Sequence, residues 1–169
     1  MAGTLRRVRG RELWPERTRA GRAERHGRPG GVTGFLLDTN VLSEIVKPVP
    51  DARVLAFLER ESDIWLSVVT LHELAYGAAR IAEAGRRRSL TSWLDMVRAR
   101  FKNRLLTIDE AVAQSSGRLR GEAARRGRVV TALDSLIAAT AAARALRLVT
   151  RNVRDFEAFD ISTLNPWIE

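Results

Sequence analysis

Four acidic residues, Asp38, Glu73, Asp134 and Asp155, each lie just after the predicted end of a strand or near the predicted start of a helix. The carboxyl ends of parallel strands meet at one edge of a sheet, so these side chains are expected to share a crevice there. Like charges in a crevice repel one another unless cations neutralise them. Carboxylate oxygens are ligands that suit Mg²⁺ and also Mn²⁺. The pattern therefore predicts a divalent metal site formed by the four acids.

The charge of the chain indicates what such a site would act on. The protein carries a formal net charge of +9 although the predicted site is acidic, which favours an anionic substrate. A divalent ion would bridge a carboxylate to a phosphate and lower the pKa of a water molecule for an in-line displacement. No histidine is positioned as a general base, so this water is the expected nucleophile. The absence of cysteine and the presence of only two histidines argue against zinc or copper.

Each acid also has a purely structural explanation, because acidic residues are common at the start of helices. Glu73 and Asp134 stand three residues after Thr70 and Thr131, which is the spacing of a capping box. The other two acids are acceptable N-caps. In a helical bundle such caps would be scattered, whereas in a parallel sheet they share one edge. This expected convergence favours the metal site.

Two other motifs compete with this interpretation, and both are incomplete. His72 and Glu73 resemble the start of a zinc-protease helix, but Tyr76 stands where the second histidine is required. Asp38 and the residues after it resemble the Asp-x-Asp motif of haloacid-dehalogenase phosphatases, but Asn40 replaces the second acid. No Walker or dinucleotide-binding glycine pattern follows any predicted strand.

The acids would be positioned by strands and helices, which the sequence predicts as short apolar runs that alternate with segments of helical periodicity. This alternation predicts a three-layer α/β/α domain with a mostly parallel sheet of four to five strands. Residues 85–88 are expected to form a basic turn, residues 131–146 a helix that carries Asp134, and residues 151–159 a loop. The predicted strands are residues 35–37, 64–69, 105–108, 148–150 and 161–164.

The composition favours one domain, residues 34–169, preceded by a basic tail, residues 1–33, because 169 residues with 45% apolar content suit a single core. The tail holds nine arginines against three glutamates, is rich in glycine and shows no apolar period. It is predicted to be disordered, or to lie upstream of a natural start near Val32. No apolar run reaches the roughly 20 residues of a membrane span, so no membrane association is expected. The lack of cysteine suits a reducing cytoplasm, which is the expected location.

Four blocks of the chain resemble the signature blocks of PIN-domain ribonucleases, and most closely those of the toxin half of bacterial VapBC and FitAB toxin–antitoxin pairs. Any one block is a weak signal, but the four together, in unbroken order over about residues 34–168, are specific. The blocks are residues 37–44 (LDTNVLSE), 67–77 (SVVTLHELAYG), 132–140 (ALDSLIAAT) and 148–156 (LVTRNVRDF).

The resemblance implies a PIN fold and an endoribonuclease toxin that cleaves RNA with Mg²⁺ or Mn²⁺. It also implies a homodimer, for which Trp65 and Trp93 are candidate exposed contacts, and a cognate antitoxin that inhibits the toxin. Operator DNA would be reached only through the DNA-binding half of that antitoxin. The four acids named above match the metal-binding and catalytic positions of the family. The polar positions that support them are matched by Thr39, Asn40, Thr150 and Asn152.

Two other functions remain compatible with the sequence. The first is a non-catalytic PIN-like module that binds RNA or a protein partner, which full binding without turnover in Mn²⁺ would support. The second is a phosphatase that uses Asp38 as its nucleophile, which a trapped phosphoaspartate would reveal. The main prediction is the metal-dependent endoribonuclease toxin, and the loss of cleavage in Asp38→Asn is its test.

Overall fold

The computed structural model describes residues 34–168, and five strands form the sheet within that range. They are β1 (Gly34–Leu37), β2 (Ile64–Ser67), β3 (Leu105–Leu106), β4 (Leu146–Val149) and β5 (Thr163–Leu164). The order across the sheet is β3-β2-β1-β4-β5. Every pair of neighbouring strands is parallel. The prediction of a mostly parallel sheet of four to five strands is confirmed.

Helices connect the strands, and each strand crossover runs along one face of the sheet. The side chain of an aspartate caps α1, α2 and α5 by accepting a hydrogen bond from a backbone N–H in the first turn. The helices are α1 (Thr39–Ile45), α2 (Ala52–Arg60), α3 (Val68–Ala79), α4 (Ala84–Arg100), α5 (Glu110–Arg125), α6 (Ala132–Ala143) and α7 (Val153–Phe156), followed by a 3₁₀ turn (Glu157–Phe159).

Two hydrophobic cores lie on opposite faces of the sheet, because successive side chains of a strand point to opposite sides. Leu37 and Val149 join the core formed with α1, α2, α3 and α4. Their neighbours Leu36 and Leu148 join the core formed with α6, α7 and the 3₁₀ turn. All four side chains are fully buried. The predicted three-layer α/β/α architecture is therefore confirmed.

Replacement of Leu148 by alanine is expected to destabilise the protein strongly. Leu148 is fully buried in β4, between β1 and β5, where its loss leaves a cavity that the flanking strands hold open. We expect the free energy of unfolding to fall by about 2–5 kcal/mol, measured by denaturant titration. Met96→Ala is the control, because Met96 is 59% exposed on α4. An equal loss in both variants would contradict the two-core description.

The strand β2 ends two residues earlier than predicted, because a serine caps the following helix. The Ser67 hydroxyl accepts a hydrogen bond from the Val69 N–H at 3.1 Å, so α3 begins at Val68. Thr70 consequently lies inside the helix rather than at its start. Its buried hydroxyl donates to the Leu37 carbonyl at 3.2 Å. The predicted capping box from Thr70 to Glu73 is therefore wrong, and Thr70 instead ties α3 to the end of β1.

The basic run at residues 85–88 belongs to the first turns of α4 and not to a turn between helices. The Glu83 carboxylate accepts hydrogen bonds from the Gly85 and Arg86 N–H groups, both at 2.6 Å, and so begins the helix there. The prediction of a basic turn is wrong because the Glu83 side chain caps α4 and starts the helix before the basic run.

Two further boundaries differ from the predictions. Helix α6 ends at Ala143, three residues early, because Ala145 adopts a left-handed conformation with φ of 51° and β4 follows at once. The expected loop at residues 151–159 contains α7 and the 3₁₀ turn. Phe156 and Phe159 are buried there, with ring centroids 6.1 Å apart, and this packing holds the segment in helical form.

The two candidate dimer contacts differ in exposure. Trp93 is only 8% exposed and belongs to the core beneath α4, so its prediction as an exposed contact is wrong. Trp65 is half-buried, and its indole N–H donates to Asp63 Oδ1 at 2.9 Å. Among the described helices, none is long and apolar enough to cross a membrane. The predicted tail, residues 1–33, lies outside the described residues, and the domain boundary stays a prediction.

Candidate active site

The candidate site lies at the carboxyl edge of the sheet, where β1 and β4 are neighbours. The chain proceeds from β1 to β2 and β3 on one side, then returns to β4 and β5 on the other. Connections leave β1 and β4 in opposite directions, and such a switch point opens a crevice at the strand ends. Asp38 follows β1 and Thr150 follows β4. These two residues form the floor of the site.

Asp38 is held by three hydrogen bonds. Its Oδ1 accepts from the Thr39 N–H at 2.7 Å, which begins α1. Its Oδ2 accepts from the Thr150 hydroxyl and from Asn40 Nδ2, both at 2.6 Å. Asn40 Nδ2 also donates to the Thr150 hydroxyl oxygen at 3.0 Å. Asp38 therefore caps a helix and also presents a fixed, 8% exposed carboxylate at the edge of the sheet.

The environment of Asp38 opposes its negative charge. Burial raises the pKa of the Asp38 carboxyl above its usual value, and the charges of Glu73 and Asp134 raise it further. The hydrogen bonds from Thr150 and from the Thr39 amide act in the other direction but do not restore the ordinary pKa. A nearby cation would favour the ionised form. Three acids are thus electrostatically coupled around this strand end.

Removal of the Thr150 hydroxyl is expected to shift the titration of the site. Thr150→Val keeps the shape of the buried side chain but removes a hydrogen bond that lowers the pKa of Asp38. The Asp38 carboxyl should then titrate at a higher pH in the variant than in the wild-type protein. The measurement is a pH titration of the Asp38 carboxyl signal by NMR spectroscopy. Thr140→Val is the control, because that buried hydroxyl bonds only the Leu136 carbonyl of its own helix. Coincident profiles for both variants would contradict this role.

Glu73 reaches the site from the first turns of α3. The Thr39 hydroxyl donates to Glu73 Oε2, which links the start of α1 to α3. The bond from Thr70 to the Leu37 carbonyl fixes the same helix against the end of β1. Glu73 is half-buried. Two threonine hydroxyls therefore determine where this carboxylate lies.

Asp134 lies in the first turn of α6, where Thr131 is the N-cap. The Asp134 N–H donates to the Thr131 hydroxyl oxygen at 3.0 Å, and that hydroxyl donates to Asp134 Oδ2 at 2.6 Å. The sequence pattern of a capping box is present, but the reciprocal bond runs between the two side chains. The cap leaves Asp134 half-buried and within electrostatic reach of Asp38.

Asp155 is the most exposed of the four acids and lies in the first turn of α7. Its N–H donates to the Asn152 carbonyl at 3.0 Å, and the Asn152 N–H donates to the Thr150 hydroxyl oxygen at 3.0 Å. Asn152 thus supports the site through its backbone groups. The single Thr150 hydroxyl connects Asp38 to the segment that carries Asp155.

All four acids line one cleft with a volume of about 350 Å³. Thr39, Asn40 and Asn152 line it as well. Thr150 is fully buried beneath it. Two cations in the lining, Lys47 and Arg151, were not among the predicted site residues. Positional signals for both exist, since Lys47 lies a helical turn after Ser43 and Arg151 follows the end of β4. The other lining residues are Ser43 and Phe156.

Lys47 is partly neutralised by a buried acid. Its Nζ lies 2.6 Å from Glu44 Oε2, and the other carboxylate oxygen of Glu44 accepts from the Asp51 N–H at 3.1 Å. Burial opposes the charge of Glu44, but these two partners, together with the positive charge of Arg151, outweigh it and hold the pKa of the carboxyl below its usual value. The pair fixes the turn between α1 and α2 at the rim of the cleft.

The chain is similar to known proteins over this whole domain. Residues 35–161 match the PIN domain. The toxin FitB of Neisseria gonorrhoeae is 37% identical over 136 residues, which are 79% of this chain and 98% of that protein. The VapC ribonuclease Y4jK of Sinorhizobium fredii is 35% identical over 136 residues, 79% of this chain and 97% of that protein.

Solved structures of toxin–antitoxin complexes contain the same fold. The crystal structure of FitAcB from Neisseria gonorrhoeae matches with a TM-score of 0.74 at 37% identity, over 79% of this chain and 98% of that chain. The structure of DNA-bound VapBC from Salmonella typhimurium matches with a TM-score of 0.64 at 32% identity, over 79% and 98% respectively. The chain therefore belongs to the PIN-domain family, within the group that contains the FitB and VapC toxins.

Proposed function

We propose that this protein is a metal-dependent endoribonuclease, the toxin of a type II toxin–antitoxin system. The observation that carries the proposal is the convergence of Asp38, Glu73, Asp134 and Asp155, from four separate segments, on one cleft at the carboxyl edge of the sheet. A relative named as a VapC ribonuclease supports the choice of RNA as substrate. The formal net charge of +9 suits a polyanion.

We propose that the four acids form the metal-binding cleft for Mg²⁺ or Mn²⁺, and that an ion binds through one or two of their carboxylates at a time. Neither of the metal ligands histidine and cysteine is among the described residues that line the cleft, so its donor set is one of oxygens. Within residues 34–168, no three carboxylate or imidazole groups lie close enough together to ligate one ion. Mg²⁺ commonly keeps several waters and binds through one or two carboxylates together with substrate phosphates. The open acidic cleft fits that mode of binding.

The polar neighbours of the acids have proposed positioning roles. Thr150 and Asn40 orient the Asp38 carboxylate, Thr39 orients Glu73, and Asn152 supports the segment that bears Asp155. When bound, the ion would polarise the phosphodiester and lower the pKa of the water molecule that attacks phosphorus. The carboxylates would hold that ion at the strand ends, and a phosphodiester would have to lie beside it for in-line displacement.

The proposed partners follow from the complexes that related toxins form. We propose a cognate antitoxin that binds and inhibits this chain, as the FitAcB and VapBC structures are complexes of such pairs. DNA is present in the VapBC structure, and we propose that operator DNA is contacted here only through the antitoxin. A homodimer and a cytoplasmic location, where RNA is accessible, complete the proposal.

The test is RNA cleavage by the purified full chain. Total bacterial RNA is incubated with the protein and Mg²⁺, and new 5′ ends are mapped by sequencing. We expect a small set of discrete ends that disappear when the protein is first mixed with the antitoxin encoded beside it. RNA binding without new ends would instead indicate the non-catalytic module. A phosphoaspartate at Asp38 after incubation with phosphomonoesters would indicate the phosphatase.

A further inference from the structure

A second groove continues from the acidic cleft along the end of the sheet. Its volume is about 660 Å³, and it shares Arg151, Asn152 and Asp155 with the cleft. We call it the arginine groove, defined by Arg151, Arg154, Thr163, Asn165 and Ile168. A groove of this size accommodates a nucleotide. An RNA strand bound across the four acids would therefore extend directly into this groove.

The arginine groove is lined by two arginines, Arg151 and Arg154, of which only Arg151 also lines the acidic cleft. Arg151 and Arg154 are exposed, and neither forms an ion pair with a carboxylate of the described residues. At the other rim, the Lys47 ammonium is bound to Glu44 at 2.6 Å. The two sides of the cleft therefore differ, and the cations available to an anionic ligand lie on the groove side.

Arg151 is held in place by its surroundings. Its backbone N–H donates to Asn40 Oδ1 at 3.2 Å, and its carbonyl accepts from Asn165 Nδ2 at 3.3 Å. Its guanidinium carbon lies 5.5 Å from the centroid of the buried Trp167 ring. Asn40 is also the residue that bonds Asp38. The guanidinium is thus preorganised at a fixed place relative to the proposed metal site.

We propose that the arginine groove binds the RNA nucleotide next to the scissile phosphodiester. Arg151 and Arg154 would donate hydrogen bonds to the phosphate oxygens of this nucleotide. The Ile168 side chain, which is 76% exposed, would contact its base or ribose. The acidic cleft repels the phosphates that flank the scissile one, so a neighbouring cationic subsite is needed to hold single-stranded RNA. This proposal rests on the RNA-cleaving function proposed above and adds the subsite.

The test measures RNA binding without chemistry. The full chain, kept in EDTA, is titrated against a short fluorescein-labelled single-stranded RNA of mixed sequence at several salt concentrations. Arg151→Gln and Arg154→Gln should each weaken binding about tenfold. Each should also reduce the slope of log affinity against log salt by about 0.7. Arg118→Gln is the charge-matched control, because Arg118 is exposed in the middle of α5. Arg154 is exposed on α7, so its replacement leaves folding intact.

The outcomes separate this proposal from the one on which it rests. Equal weakening by all three variants, or no weakening by the two groove variants, overturns the subsite and leaves the nuclease function standing. Arginine-dependent RNA binding by a chain that never cleaves in Mg²⁺ supports the subsite and overturns the nuclease. If the groove variants bind RNA normally but no longer bind the antitoxin, the groove is a binding site for the antitoxin, and the proposal is also overturned.

Discussion

Asp38→Asn should lower the rate of RNA cleavage by at least about 10²-fold while the protein stays folded. Asp38 is the buried acid at the switch point, and the charges of Glu73 and Asp134 both act on it. The amide that replaces it has nearly the same shape but cannot supply the negative charge that a divalent ion requires. Cleavage is measured on a mapped RNA site under single-turnover conditions.

The fold of this variant should survive because the substitution has compensating effects. The carboxylate has a raised pKa, so its ionised form opposes the folded state at neutral pH, and its removal relieves that opposition. The amide also loses one hydrogen-bond acceptor toward Asn40 and Thr150. We expect the free energy of unfolding to change by no more than about 1 kcal/mol. RNA binding in EDTA should be kept or slightly tightened, since a negative charge is lost.

The matched control for this prediction is Asp95→Asn. Asp95 is exposed on α4, and its ion pair with Arg98, at 3.6 Å, lies on the surface. The same chemical change there should leave cleavage at the wild-type rate, because surface ion pairs contribute little. If Asp38→Asn cleaves as fast as Asp95→Asn in a preparation free of other nucleases, the assignment of Asp38 is wrong.

Removal of divalent ions should abolish cleavage completely and reversibly. No histidine lines the cleft among the described residues, so no imidazole there could activate water in place of the ion. EDTA is expected to stop the reaction, and Mg²⁺ or Mn²⁺ in excess to restore it. Potassium chloride at equal ionic strength is the control for charge screening. Cleavage that continues in EDTA would contradict the metal-dependent mechanism.

The same titration has a readout that does not depend on RNA. An ion that binds only the folded state stabilises it, by about 2.7 kcal/mol when its concentration is 100 times its dissociation constant. The melting temperature of the wild-type protein should therefore rise with Mg²⁺. The rise should be much smaller in Asp38→Asn, because that variant lacks the central ligand. Equal shifts in the two proteins would place the ion elsewhere.

Local sequence signals were sufficient for much of the fold. The apolar run before Asp38 and the alternation of runs with helical patterns predicted the parallel sheet and its two covered faces. The boundaries were less predictable where a single side chain decides them. Ser67 and Glu83 cap α3 and α4, and their hydrogen bonds begin these helices earlier than the apolar pattern indicated. The expected loop forms helical turns because Phe156 and Phe159 are buried in the core that also contains Leu36 and Ile137, which are distant in the chain.

The sequence by itself determined the identity of the four acids and their places relative to strands and helices, since these depend on neighbouring residues. Their roles as metal ligands and catalytic groups stay a prediction. Only the tertiary structure decided which groups meet, because Asp38 and Thr150 are far apart in the chain and adjoin through the pairing of β1 with β4. It also decided that Arg151 stacks on Trp167 beside the cleft. Such contacts depend on distance in space, and no spacing in the sequence encodes them.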